Sequence, residues 1–177
     1  MTAVEQHRRA VNAGAHDHTC ILNVALFAII WNADLSVLLE ELRVLDGVPG
    51  TAAGWKRKLT ARLLALTIIE AGDEFRGLLG REFRASVKRL AGDDMLEQLN
   101  AVHKTLCRFR DAHDTTLRKV RNTVIAHRDS NAAGQVESLG SLKVKDVEKL
   151  GWELLRWTTS LHELVSTVAA KSRKTAA

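Results

Sequence analysis

The sequence has no tyrosine and a single proline, Pro49, in 177 residues. Strands are enriched in aromatic and β-branched residues, and proline interrupts helices. This shortage, set beside abundant Ala, Leu, Arg, Lys and Glu, favours helix over sheet. Cysteine is nearly as scarce. Cys20 and Cys107 stand far apart inside helical patterns, which excludes a disulfide framework and fits a reducing cytosol. The most apolar stretch, CILNVALFAIIW at 20–31, is interrupted by Asn23. It falls short of the roughly 18 residues a membrane span needs, so it reads as a buried helix. The opening MTAVEQHRRAVNAGAHDH is polar and lacks the apolar core of a secretion signal. The chain is therefore expected to be cytoplasmic, with no membrane partner. Neither a Walker loop nor a Rossmann glycine pattern occurs, which argues against nucleotide hydrolysis. The four Phe and four Trp mostly fall at core spacing, so no stacking platform for sequence-specific single-strand recognition is expected.

Hydrophobic residues make up 46% of the chain, enough for one domain with a sizeable core. Their three- and four-residue spacing predicts an antiparallel helical bundle of about five helices. The first runs from about Val4 to Leu45, with a break near Gly14. After the loop DGVPGTAAG at 46–54, the second runs from about Trp55 to Leu79. A short basic helix, REFRASVKRLAG, ends at Gly92. The fourth runs from about Asp94 to Ala126, with Asp93 or Asp94 as its cap and Glu97 supporting it. After a polar loop at 128–140, the last runs from about Lys143 to Ala170. A single domain over 1–170 and a flexible basic tail over 171–177 follow from this reading. The net charge of +5 and pI near 9.5 give a mild bias toward acidic partners such as nucleic acid.

Several clusters could carry chemistry. His16 with Cys20 and His103 with Cys107 each sit one helical turn apart, as two metal ligands on a helix would. A core cysteine beside a histidine is the commoner arrangement, and no metal is expected. Glu70, Asp73 and Glu74 read as an acidic helix face. An Arg and a His separated by four to six residues occur four times: Arg9 and His16, Arg108 and His113, Arg121 and His127, Arg156 and His162. Spacing alone therefore selects nothing, but context does. Only Arg121 is followed directly by a neutral polar residue, Asn122. Only this pair combines an uncharged remainder with a place at the end of a long helix, with Arg128, Asp129 and a loop behind it.

That segment, LRKVRNTVIAHRD at 117–129, resembles the signature of the HEPN superfamily, helical domains of many prokaryotic RNases and toxin or phage-defence proteins. Its RNxxIAHRD form is similar to the abortive-infection branch. The resemblance implies a metal-independent endoribonuclease without cofactors, cutting RNA by attack of its 2′-hydroxyl. His127 would be the general acid/base, since an imidazole titrates near neutrality. Arg121 would hold the phosphate through its planar guanidinium, and Asn122 would orient the phosphate or the imidazole. Arg118, Lys119 and Arg128 would lie along the RNA backbone. The resemblance also implies a homodimer with the two motifs apposed, and an antitoxin or nucleotidyltransferase as a further partner. Six residues at about 100° each put Arg121 and His127 about 120° apart and about 9 Å along the helix axis, so one straight helix does not converge them. Two other readings of the residues stand beside this one. The first is a non-catalytic module of the same fold, binding RNA, nucleotide or a protein partner. The second is a helical interaction protein whose motif is an ordinary helix end, with His127 near the last carbonyls.

Overall fold

The structure, a computed structural model, describes residues 2–12, 15–124 and 142–175; for Ala3 and residues 118–124 and 173–175 it describes the helical backbone alone. Among the described residues there are six helices and no strand: α1 (Ala3–Asn12), α2 (His16–Leu45), α3 (Thr51–Leu78), α4 (Arg81–Ala91), α5 (Asp93–Val124) and α6 (Val144–Thr175). The all-α expectation holds. The block from Val4 to Leu45 is two helices, α1 and α2, separated between Asn12 and His16 at the expected break near Gly14; counted apart, they make six rather than about five.

The helix ends follow from local chemistry. At the start of α1, the Glu5 amide donates to Thr2 Oγ1 at 3.2 Å, and Glu5 Oε2 accepts from the Thr2 amide at 2.8 Å. This reciprocal pairing is a capping box. The turn after α2 uses Gly47 and Gly50 at φ 81° and 107°, a region L side chains rarely adopt. The loop expected over 46–54 is shorter, because Thr51, Ala52 and Ala53 already belong to α3. One glycine, Gly54, costs that helix only about 1 kcal/mol and does not stop it. Gly92, at φ 86°, closes α4, and its amide donates to the Lys88 carbonyl. The last helix continues past the expected Ala170 to Thr175.

The chain divides into two compact units. The first takes residues 1–32, 73–107 and 156–177; the second takes 33–72 and 108–155. Helices α2 and α5 enter the second unit from the first, and α3 and α6 return, so within each unit the long helices alternate in direction. In the first unit the core is built on Ile21, Val24, Phe75, Phe83, Leu99 and Leu161. Trp157 lies edge-on to Phe75, ring centroids 5.0 Å apart, and its Nε1 donates to the Val102 carbonyl at 2.7 Å. Thr158, fully buried, donates to Asn32. In the second unit Leu35, Leu39, Ala61, Leu64, Ile68 and Leu154 form the core. There α6 passes so close that a Cβ on Gly151 would sit 2.9 Å from Leu64 Cδ2 and 3.0 Å from Leu39 Cδ2.

The apolar stretch at 20–31 supplies part of the first core through Ile21, Leu22, Val24, Ala25 and Ala28. It is not wholly buried, since Ile29 and Ile30 are 41% and 53% exposed. Taken over its full length, α2 is long and apolar enough to cross a membrane by length and composition. Its buried face is nonetheless committed to residues of the protein's own cores.

Candidate functional site

Helix α5 carries the first half of the candidate site. Its apolar stripe, Met95, Leu99, Leu106, Phe109 and Leu117, is buried, which fixes the rotation of the helix about its axis. Arg121 and Asn122 lie in the last described turn of α5 (Asp93–Val124). Arg118 and Lys119 fall one turn earlier on the same backbone. His127 and Arg128 lie outside the described residues, as does Asp129. The structure therefore places Arg121 and Asn122 on the helical backbone of α5, and the expected convergence with His127 is not among its described features.

Register says where the Arg121 position falls. It is eleven residues, and so about 20° of rotation, from Arg110 on the same edge of α5. Arg110 runs along α3 at Gly72, where a Cβ would lie 3.7 Å from the Arg110 Cδ. A methyl group at Gly72 would meet the arginine stem at ordinary van der Waals distance. Register puts Asn122 about 100° further round, away from the buried stripe.

The other Arg–His pairs have different fates. His16 Nε2 lies 2.9 Å from Glu82 Oε1, tying α2 to α4. His113 stacks edge-on against Phe109, ring centroids 5.1 Å apart, with Glu153 Oε2 at 3.9 Å. His162 Nε2 lies 3.4 Å from Ser166 Oγ, one turn along α6. Each of these histidines has a local structural contact.

The two His–Cys pairs are likewise engaged elsewhere. His103 Nδ1 receives a contact from Arg84 Nη2 at 3.0 Å, and Arg84 Nε donates to the Leu79 carbonyl at 3.0 Å. Burial pushes the His103 pKa below its ordinary value, and the Arg84 charge adds to that. A neutral Nδ1 accepting from a guanidinium suits an anchor better than a proton shuttle. Cys107 Sγ sits 3.8 Å from His103 Nδ1 and is exposed. Burial raises the Cys20 thiol, away from the thiolate a metal would need. Among the described residues no group of three or more His, Cys, Asp or Glu is disposed to hold a metal ion.

Sequence reasoning missed a third cluster. Asp17, at the start of α2, accepts from Arg89 Nε at 2.8 Å and from Ser86 Oγ at 2.8 Å. The Arg89 hydrogen bonds, with help from Ser86, hold the Asp17 carboxyl far below the usual carboxylate range. Asp17 reads in sequence as part of an exposed His-Asp-His turn; its partners come some seventy residues later, where no local signal points to them. The cluster fastens α4 to α2 and leaves no open position for a substrate.

Compared with known proteins, the chain matches no family model, no curated protein and no solved structure.

Proposed function

We propose that the chain is a HEPN-like, metal-independent endoribonuclease of a toxin or phage-defence system. The observation that supports this reading is the position of Arg121 and Asn122 in the last described turn of the long helix α5, in a chain whose described elements are all helices. The other three Arg–His pairs lack this setting, and their histidines are engaged in structural contacts.

In the proposed reaction the 2′-oxygen of the RNA attacks the adjacent phosphorus and the bond to the 5′-oxygen breaks. The products are a 2′,3′-cyclic phosphate and a free 5′-hydroxyl. The 2′-hydroxyl proton passes to His127 as general base, and the protonated imidazole returns it to the leaving 5′-oxygen as general acid. Arg121 offsets the charge gathering on the phosphoryl oxygens, where two parallel N–H donors match two oxygens. Asn122 orients the phosphate or the imidazole. Arg118, Lys119 and Arg128 follow the RNA backbone and make binding salt-dependent. A second copy with its motif apposed would overcome the poor convergence of Arg121 and His127 on one helix.

The test is cleavage of a mixed RNA substrate in EDTA by the wild-type chain, Arg121→Ala and His127→Ala. Wild type is expected to cut and leave cyclic-phosphate ends. Both variants should lose at least about 100-fold in rate, the usual scale for a positioned acid/base or charge-stabilising group, with unchanged circular dichroism. Salt-sensitive RNA binding without cleavage would instead identify a non-catalytic module. Equal cutting by all three proteins removes the assignment of the site.

A further inference from the structure

The second unit turns apolar side chains outward on two adjacent helices. On α2, Val37 and Val44 are 68% and 55% exposed; on α3, Trp55, Leu59 and Leu63 are 45%, 52% and 46% exposed. Each set recurs at four- or seven-residue steps, so each forms a stripe along the helix face opposite its buried residues. The helices are joined by the turn at 46–50, by an ion pair between Lys56 and Glu41, and by Arg57 Nη2 to Asp46 Oδ1 at 2.7 Å. Glu41 and Lys56 each sit about 60° of rotation from their own stripe, so their contact brings the two stripes side by side. Together these five side chains offer on the order of 500 Å² of apolar surface, most of the roughly 800 Å² each partner contributes to a standard interface.

The charges beside the two stripes have opposite signs. Asp34, Glu40 and Glu41 flank the α2 stripe, where Arg43 pairs with Glu40, and Lys56, Lys58 and Arg62 flank the α3 stripe, where Lys56 pairs with Glu41; the net charge is negative beside α2 and positive beside α3. Such a surface complements itself. Under a two-fold axis, α2 of one copy lies on α3 of the other and acids meet bases twice. An anionic membrane or RNA would attract only the α3 half and be repelled by the α2 half. We infer that this α2–α3 face is a docking surface for a second copy of the chain. The contact uses neither α5 nor the motif at its end, so it stands apart from the motif-apposed pairing proposed above.

Sedimentation velocity over a concentration series, on the full chain, tests it. Wild type should self-associate through this face, reversibly on dilution, whether or not the motif also pairs. Val37→Glu and Leu59→Glu should each weaken the dimer at least tenfold while circular dichroism and Tm stay at wild-type values, because both positions are exposed and glutamate is a good helix former. Glu40→Lys should weaken it too, and adding Lys58→Glu should recover part of the loss. A wild type that stays monomeric overturns the inference. So does a dimer that survives both Val37→Glu and Leu59→Glu, which would point to pairing through α5. Lack of recovery in the charge exchange overturns the α2-on-α3 arrangement, and binding to anionic vesicles in place of self-association overturns the choice of partner.

Discussion

Helix α6 passes through both units and is held differently in each. In the first unit Trp157 presses its ring edge on Phe75 and donates its indole N–H to the Val102 carbonyl, while the next residue, Thr158, donates to Asn32. In the second unit the same helix brings Gly151 against Leu39 and Leu64 with no room for a methyl group. The first unit therefore fixes its helices with large side chains and directional hydrogen bonds. The second fixes them by close backbone approach and spends its large apolar residues partly on the outside. Large side chains concentrate stabilisation in a few residues, whereas close approach spreads it over many dispersion contacts that fall away quickly with distance.

The comparison can be broken most forcefully in the first unit. Phe75 is fully buried, and Phe75→Ala should cost about 3–5 kcal/mol, because a large cavity opens beside Trp157. Thermal unfolding should register a fall in Tm on the order of 10 °C. A fall of only a degree or two would mean that the Phe75–Trp157 pair is not where the first unit concentrates its stability.

The second unit is sharpened by adding atoms rather than removing them. Gly151→Val should destabilise by about 1–3 kcal/mol through overpacking, although valine outranks glycine as a helix former. Adding Leu64→Ala should return part of that loss, so that the double variant costs less than the sum of the singles in urea unfolding. Additive effects would show that α6 can shift away from Leu64, and the contrast with the first unit would fail.

The smallest effect belongs to the polar fastening of α4. Asp17→Asn should cost about 1 kcal/mol at neutral pH, since the amide still accepts from Ser86 but loses its charge partner Arg89. The Asp17 carboxyl is held below its ordinary pKa, so its stabilisation is complete above about pH 4 and is lost as the pH falls further. Denaturant curves at pH 7 and pH 3 should therefore show the gap between wild type and variant closing in acid. A gap that stays constant would assign the effect to packing instead of charge.

How much could be read from the residues alone differs between the fold and the candidate site. The helical segments, the turn around Pro49 and the stop at Gly92 were legible, because spacing, glycine and proline act over a few residues. The start of α3 at Thr51 was misplaced by a lone glycine, Gly54, whose cost a long helix absorbs. At the site, sequence context distinguished Arg121 and Asn122 from the other Arg–His pairs. It could not supply the partners of the rest: Glu82 lies 66 positions from His16, and Glu153 lies 40 from His113. Such distances are bridged only when helices pack. The same holds for Arg84 with His103 and for Asp17 with Arg89.

Helix α2 separates what each level of description decides. Its sequence favoured helix up to Leu45, since leucine, alanine and glutamate recur along it and no proline interrupts it. Apolar residues stand on several sides of it, so its spacing alone does not say which side faces inward. The packed structure decided that Leu35, Leu39 and Leu42 are buried while Val37 and Val44 face outward. Propensity and periodicity are local, and burial depends on which other helices arrive.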